Sequence, residues 1–315
     1  MSEHTIVVTG ANGCIGSWVL KLASERGHRI IATDIADRPT RPRLLLDDAT
    51  LDGIEWQAVD ISDTEAVRSL IVGRGVTGVV HLAGLQVPFC KADPVAGAKV
   101  NVVGTANVME AVRAAGIKRF SSASSVAAHG SAAEGNPYLG SLYGAYKAAG
   151  EEMARVYWQD WQVPSVVIRP GVVYGIGRDQ GMTSASTKAI LAATIGRPYT
   201  IPYGGDAAFL YAAEVAGAFL KVAEHDREGA HVFDLSGQCR PVTDVARLIK
   251  REIPDADIRV EGEQLPFPPD ISDDPILEYL GDYGQTTLEA GISETIARFR
   301  ALRGSNTLDL GQLDR

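Results

Sequence analysis

Residues Thr5 to Gly16 read TIVVTGANGCIG. Thr5 to Thr9 is a short, nearly continuous β-branched run, the composition of a buried strand. Gly10, Gly13 and Gly16 follow at Gly-x-x-Gly-x-x-Gly spacing, and the next stretch, WVLKLASERG, is helix-like. Strand, glycine turn and helix in that order let the free N–H groups and positive dipole end of a helix hold a pyrophosphate. One glycine permits the tight turn, one lets backbone approach the phosphates without a Cβ, and one lets helix pack closely on strand. Gly10, Asn12, Gly13, Cys14, Ile15 and Gly16 are therefore the candidate contacts of a dinucleotide.

The next apolar strand, HRIIAT at His28 to Thr33, closes on Asp34, eighteen residues after Gly16. A carboxylate there accepts hydrogen bonds from the adenosine ribose hydroxyls and repels a 2′-phosphate, which favours NAD over NADP. Arg38, Arg41 and Arg43 just downstream keep NADP as the alternative.

The bulk composition bounds the function classes. At 315 residues the chain has ample length for a buried core in one large or two moderate domains, and 45% hydrophobic with 22% charged residues is the balance of a globular protein. A net charge of −9 argues against a nucleic-acid surface, which needs clustered cations. Cys14, Cys90 and Cys239 form neither a pairing framework nor a metal-ligand spacing, so no metal is expected. The start MSEHT enters a strand without a basic and then apolar leader, and no apolar run approaches membrane-spanning length. A cytoplasmic protein with no membrane partner is the expectation.

Further strands are expected at Ile54–Val59, Gly78–Leu82, Arg119–Ser122 and Ser165–Arg169, and helices at 14–26, 63–73, 95–115 and 143–161. This alternation predicts an α/β fold, a doubly wound parallel sheet of the Rossmann type with ligand at the carboxyl ends of its strands. Asp60 and Ile61, past the third strand, sit where an adenine edge could be met. Leu82, Ala83 and Gly84 end the fourth strand and let backbone approach the cofactor. Pro94–Gly116 reads as one helix, apolar on more than one face and so covered on two sides. Asn101 within it needs a hydrogen-bonding partner and is counted with the cofactor residues. After residue 170 the alternation weakens. Residues 1–170, with elements returning from later in the chain, are assigned to the cofactor, and 171–315, a smaller mixed region, to the substrate. Helices at 183–195, 212–224, 242–252 and 287–302 and a strand at Ala230–Leu235 are expected there, with a proline-rich surface connection at Leu265–Pro275 and a tail, GSNTLDLGQLDR, that is frayed or lies on a neighbour.

Chemistry is concentrated in SLYGAYKAAG, Ser141 to Gly150. Tyr143 and Lys147 lie one helical turn apart. A free phenol, with a pKa near ~10, is a poor base at neutral pH, and a neighbouring cation stabilises its ionised form. SSASSVAAHG, Ser121 to Gly130, offers four serines as hydroxyl donors beside Tyr143. The polar segment GRDQGMTS and Gln86 supply candidate substrate contacts in Gln86, Tyr174 and Arg178, near Asp179, Gln180, Thr183 and Ser184.

The set TGANGCIG, Asp34, HLAG, SSASSVAAHG, YGAYK and IRPGVVYG resembles the extended short-chain dehydrogenase/reductases of the NAD-dependent epimerase/dehydratase type, over residues 5–225 in matching order. The resemblance implies Tyr143 as acid/base, Lys147 as the residue lowering its pKa while binding the nicotinamide ribose, and, counting back from Gly130, Ser125 as the third catalytic residue. It also implies hydride transfer at the nicotinamide and a homodimer formed through the 95–115 and 143–161 helices. Nucleotide-sugar members carry Asn where this chain has Val172, and arginine in the region that here reads Gly205 to Tyr211 before the acidic Glu214. His129 replaces their aromatic residue. A buried diphosphate needs cationic or N–H partners, and two donors are missing. The expectation is an NAD-dependent oxidoreductase acting on a secondary alcohol of a small polyhydroxylated compound: a sugar, sugar acid or lactone. The alternatives are a UDP-sugar 4-epimerase with tightly held NAD, a steroid- or flavonoid-type alcohol reductase, and a non-catalytic dinucleotide sensor.

Overall fold

A computed structural model describes residues 4–129, 140–265, 268–305 and 307–314. Gly130, the reference for numbering Ser125, lies outside these residues, as do Pro266 and Phe267 of the proline-rich connection and Asn306 and Arg315 of the tail. Twelve strands are described: β1 (Thr5–Thr9), β2 (Arg29–Asp34), β3 (Glu55–Ala58), β4 (Gly78–His81), β5 (Phe120–Ala123), β6 (Ser165–Pro170), β7 (Val172–Tyr174), β8 (Tyr199–Ile201), β9 (Asp206–Tyr211), β10 (Ala230–Leu235), β11 (Gln238–Pro241) and β12 (Ile258–Val260). Seven form a parallel sheet in the order β10-β6-β5-β4-β1-β2-β3.

Both faces of this sheet are covered, which is why its strands are continuous apolar runs. Side chains alternate between the two layers: Ile6 and Val8 enter one core cluster, Val7 the other, and Ile30 and Ala32 separate from Ile31 in the same way. The helices Cys14–Glu25 (α1) and Ala212–Ala223 lie on the first face; Thr64–Ile71, Gly104–Ala115 and Leu142–Trp161 lie on the second. β10 comes from the second half of the sequence yet pairs in parallel with β6, Ala230 opposite Ser165, and completes the central sheet. A smaller mixed sheet, β11-β9-β7, and the pair β12-β8 accompany it.

The helix expected over 95–115 is three segments in line: Pro94–Ala98, a π-helical stretch Lys99–Val103, and Gly104–Ala115, stopped by Gly116 at φ 66°. The π turn falls on Asn101, which is 1% exposed. Helices Val87–Ala92 and Asp274–Leu280 carried too short a pattern to be expected. The tail is not frayed where it is described: Leu308 and Leu313 pack against the core. Among the described residues, no helix is long and apolar enough to cross a membrane.

Candidate active site

A cavity of about 430 Å³ opens at the carboxyl ends of the central strands. It sits where the sheet order turns, with β2 on one side of β1 and β4 on the other. Its wall includes Gly10, Asn12, Gly13, Cys14, Ile15, Gly16 and Asp34 from the first βαβ unit, Leu82 and Gly84 after β4, and Ser125, Tyr143 and Lys147.

The glycine turn is built for close approach. A Cβ at Gly10, whose φ is 67°, would lie 2.6 Å from Ala83 N, and one at Gly16 would lie 2.2 Å from Gly10 O. α1 starts at Gly13 with no side-chain cap and no acidic residue in its first turn, so its leading N–H groups and dipole are left for an anion. Asp34 Oδ2 accepts from Asn12 N at 3.0 Å and Oδ1 from Ile35 N at 2.9 Å. Each oxygen keeps a lone pair for a ribose hydroxyl. Of the three arginines that kept NADP in play, Arg43 pairs with Asp48 and Arg41 with Asp179, while Arg38 is exposed. These groups fit a dinucleotide without a 2′-phosphate. Cys14 is a packing residue: its Sγ donates to Ile176 O at 3.6 Å, and burial pushes its thiol up to about 12.

HLAG is held by a hydrogen-bond chain whose direction can be deduced. Thr105 Oγ1 donates to Asn101 O at 2.8 Å, so it accepts from His81 Nε2 at 3.1 Å. His81 Nδ1 then accepts from Thr9 Oγ1 at 2.8 Å, and Thr9 Oγ1 in turn accepts from Leu82 N at 3.2 Å. Burial, with the charge of Lys147, holds the imidazole neutral, its pKa lowered to about 3. Asn101 Oδ1 accepts from Leu85 N and its Nδ2 donates to Leu85 O, both at 2.9 Å. Asn101 and Ala83 thus stand one layer behind the wall that Leu82 and Gly84 form.

Ser141 caps the Leu142–Trp161 helix by accepting from Gly144 N, which fixes the phase that turns Tyr143 and Lys147 to the cavity. The Ser125 hydroxyl is within hydrogen-bonding reach of the Tyr143 phenol. Burial pushes that phenol up, opposed by the Ser125 hydrogen bond and the Arg178 charge. Lys147 Nζ donates to Ala123 O at 2.8 Å and lies 5.7 Å from the centre of the Tyr143 ring. Burial lowers its pKa to about 8, against the charges of Cys90 and Glu151.

Glu151 is a site residue the sequence reading missed. It continues the Tyr143, Lys147 spacing by one more turn, and that spacing was the available signal. It is 2% exposed. Its carboxylate accepts from Ser124 Oγ and from Arg169 Nε at 2.7 Å, joining the helix to β5 and β6. Arg169 reaches on to Asp234, which pairs with His129 at 2.5 Å. His129, whose role was open, closes this network beside Ser125.

The polar loop after β7 forms the opposite wall. Gly177 adopts φ 87°, and Arg178, Asp179, Gln180, Gly181 and Thr183 line the cavity with Gln86. Arg178 NH2 donates to Thr183 Oγ1 at 2.9 Å while its Nε is buried without an acceptor. Tyr174 requires a correction. It is 1% exposed in the core between Phe209 and Tyr211, and its hydroxyl donates to Leu288 O, so it does not reach the cavity. Asp60 and Ile61 also lie off the wall. Asp60 accepts from Ser62 N and Oγ at 2.9 and 2.8 Å in a turn leading to the next helix, and Ile61 packs against Gly104.

The family model for the NAD dependent epimerase/dehydratase family matches residues 6–235. A uronate dehydrogenase of Pseudomonas syringae pv. tomato is 29% identical over 58% of this chain and 64% of its own length. A UDP-glucose 4-epimerase of Mycolicibacterium smegmatis is 29% identical over 68% of this chain and 72% of its own. An NAD-dependent glucose-6-phosphate dehydrogenase of Haloferax volcanii is 30% identical over 54% and 68%. Among solved structures, the UDP-glucose 4-epimerase of Thermus thermophilus in complex with NAD superposes with a TM-score of 0.78 at 25% identity, covering 96% of this chain and 99% of that one.

Proposed function

The chain belongs to the NAD-dependent epimerase/dehydratase family, and from that premise we propose that it oxidises a secondary alcohol of a small sugar derivative bearing one anionic group, a carboxylate or a phosphate. NAD supplies the hydride acceptor when bound. Tyr143 takes the proton of the substrate hydroxyl as the hydride leaves the same carbon, and Ser125 holds that oxygen. The Arg178 charge opposes the upward push of burial on the phenol, and Lys147, 5.7 Å from the ring centre, is the second cation beside it.

The observation that carries the substrate class is the state of the cations on the wall. Among the described residues that line the cavity, these are Arg41, Lys147 and Arg178. Arg41 is paired with Asp179 and Lys147 is bonded to Ala123 O, which leaves Arg178 with its orphaned Nε. One guanidinium suits one carboxylate or phosphate bidentately. A nucleoside diphosphate needs more, and Val172 and the Gly205–Tyr211 segment provide no cation. The similarity to a uronate dehydrogenase and a glucose-6-phosphate dehydrogenase supports this reading; the epimerase similarity supports a second, in which the hydride returns to the opposite face of a UDP-sugar.

The test is NADH accumulation with NAD and a panel of uronates, sugar phosphates, neutral aldoses and UDP-sugars. Accumulation with an anionic sugar and not with neutral aldoses is expected. Conversion of a UDP-sugar to its epimer without NADH would replace this reading with the second.

We also propose a homodimer. Val95, Val103, Leu142, Val156 and Trp161 are between 45% and 65% exposed, on the two helical stretches that pair copies in the expectation. Light scattering on the purified protein should give twice the chain mass; a monomer mass overturns this.

A further inference from the structure

The loop that carries Arg178 is tied down at three points on the cofactor side of the cavity. Ile176 O accepts from Trp18 Nε1 at 3.0 Å and from Cys14 Sγ at 3.6 Å, which sets the loop against α1. Gly177 follows beside the helix start: a Cβ added there would lie 3.6 Å from Cys14 Cα and 3.8 Å from Arg41 Cδ. Asp179 next receives Arg41, which comes from the segment after β2: Nε donates to Oδ1 at 3.0 Å and NH2 to the same oxygen at 2.8 Å.

Arg41 is itself anchored to the phosphate turn. Its NH1 donates to Asn12 O at 3.0 Å, and Asn12 Oδ1 accepts from Arg41 N at 3.1 Å and Thr40 N at 2.8 Å. Asn12 N donates in turn to Asp34. One guanidinium thus ties the ribose-binding side of the groove to the loop on its far side, directly over the first turn of α1, where the phosphates are expected.

We infer that Arg41 and Asp179 are cofactor-retention residues: their ion pair closes the dinucleotide groove, and the cofactor leaves only when it opens. The pair is partly exposed, 21% and 22% for the two side chains, so its contribution is that of a well-formed surface pair rather than a buried one. Two guanidinium nitrogens converge on one carboxylate oxygen of a short loop, which favours a closed resting state that can still open. The inference stands on the cofactor site alone and holds for either a dehydrogenase or an epimerase.

The readout is the dissociation rate of NADH from the purified protein, followed by its fluorescence on displacement with excess NAD. Asp179→Asn keeps the shape and removes the charge; it should raise that rate about three- to fivefold, as loss of one well-formed surface ion pair does. Asp179→Glu, which restores a carboxylate, should bring it back to within about twofold of the parent. Arg41→Asp combined with Asp179→Arg should also recover most of the retention, where Arg41→Asp alone does not. An unchanged rate in Asp179→Asn, with an unaltered melting temperature, overturns the inference. So does a slower rate, which would mean that Arg41, once released, binds the cofactor phosphates itself and that Asp179 competes for it.

Discussion

The glycine turn at Gly10–Gly16 and the loop at Gly175–Thr183 face each other across the same cavity, and they are specified over very different ranges of sequence. In the turn, the contacts that decide the conformation are local: Gly13 N donates to Gly10 O and Ser17 N to Gly13 O, both at 2.9 Å. The loop is held by distant partners, Trp18, Cys14 and Arg41. A local constellation can be read from one sequence and carries the chemistry that any substrate of this fold needs. A tertiary one must be assembled before it can be read, and it carries Arg178, the proposed substrate contact.

Both walls serve the chemical centre, and the largest effect is expected there. Tyr143→Phe removes the proton acceptor and leaves the packing, and kcat should fall about 10³-fold, while NADH binding measured by fluorescence stays within about twofold. Retained turnover would remove Tyr143 from its role. Next in size is Glu151→Ala, which takes from Arg169 its closest carboxylate and from Ser124 its acceptor in the interior. A melt should show a loss of about 3 kcal/mol, and a loss under about 1 kcal/mol would mean that Asp234 already satisfies Arg169.

Arg178→Gln acts on the substrate wall and removes a charge that opposes the upward push of burial on the Tyr143 phenol. KM for an anionic sugar should rise about thirtyfold, as expected for loss of a charge-assisted contact, kcat should fall by less than KM rises, and KM for NAD should not move. An equal effect on NAD would place Arg178 on the cofactor instead. The smallest effect is a pH-dependent one on stability, in the region behind the loop. Glu214, 3% exposed, is pushed up to about 7 by burial and by the charge of Asp273. Its folded pKa is raised above the unfolded one, so the folded protein holds the extra proton between about 4.5 and 7, and this contribution is lost as pH rises through that window. Glu214→Gln should flatten the decline and raise stability above pH 7 by about 1–2 kcal/mol. A melting curve with the same pH dependence as the parent would contradict this.

The strand, glycine turn and helix pattern was legible because helix covers both faces of the sheet and its strands are therefore plain apolar runs. Tyr143 and Lys147 were legible as a helical spacing. The pairing of β10 with β6 was not, since a strand near residue 230 gives no sign of which sheet it joins. Tyr174 misled because an aromatic residue at a strand end beside polar residues reads as a pocket residue; the small sheet turns it inward against Phe209 and Tyr211. Asp60 misled for the opposite reason, a local turn with Ser62 that a spacing argument cannot weigh. The partnership of Arg41 with Asp179 spans 138 positions, and no local pattern encodes it.

The most direct test is to load the protein with NAD, add an anionic sugar that turns over, and compare the NADH formed with the number of protein chains. The account predicts many NADH per chain, released at the rate set by the loop. NADH that stops at one per chain or fewer, with the sugar returned as its epimer, would contradict the dehydrogenase reading and make the cavity that of an epimerase.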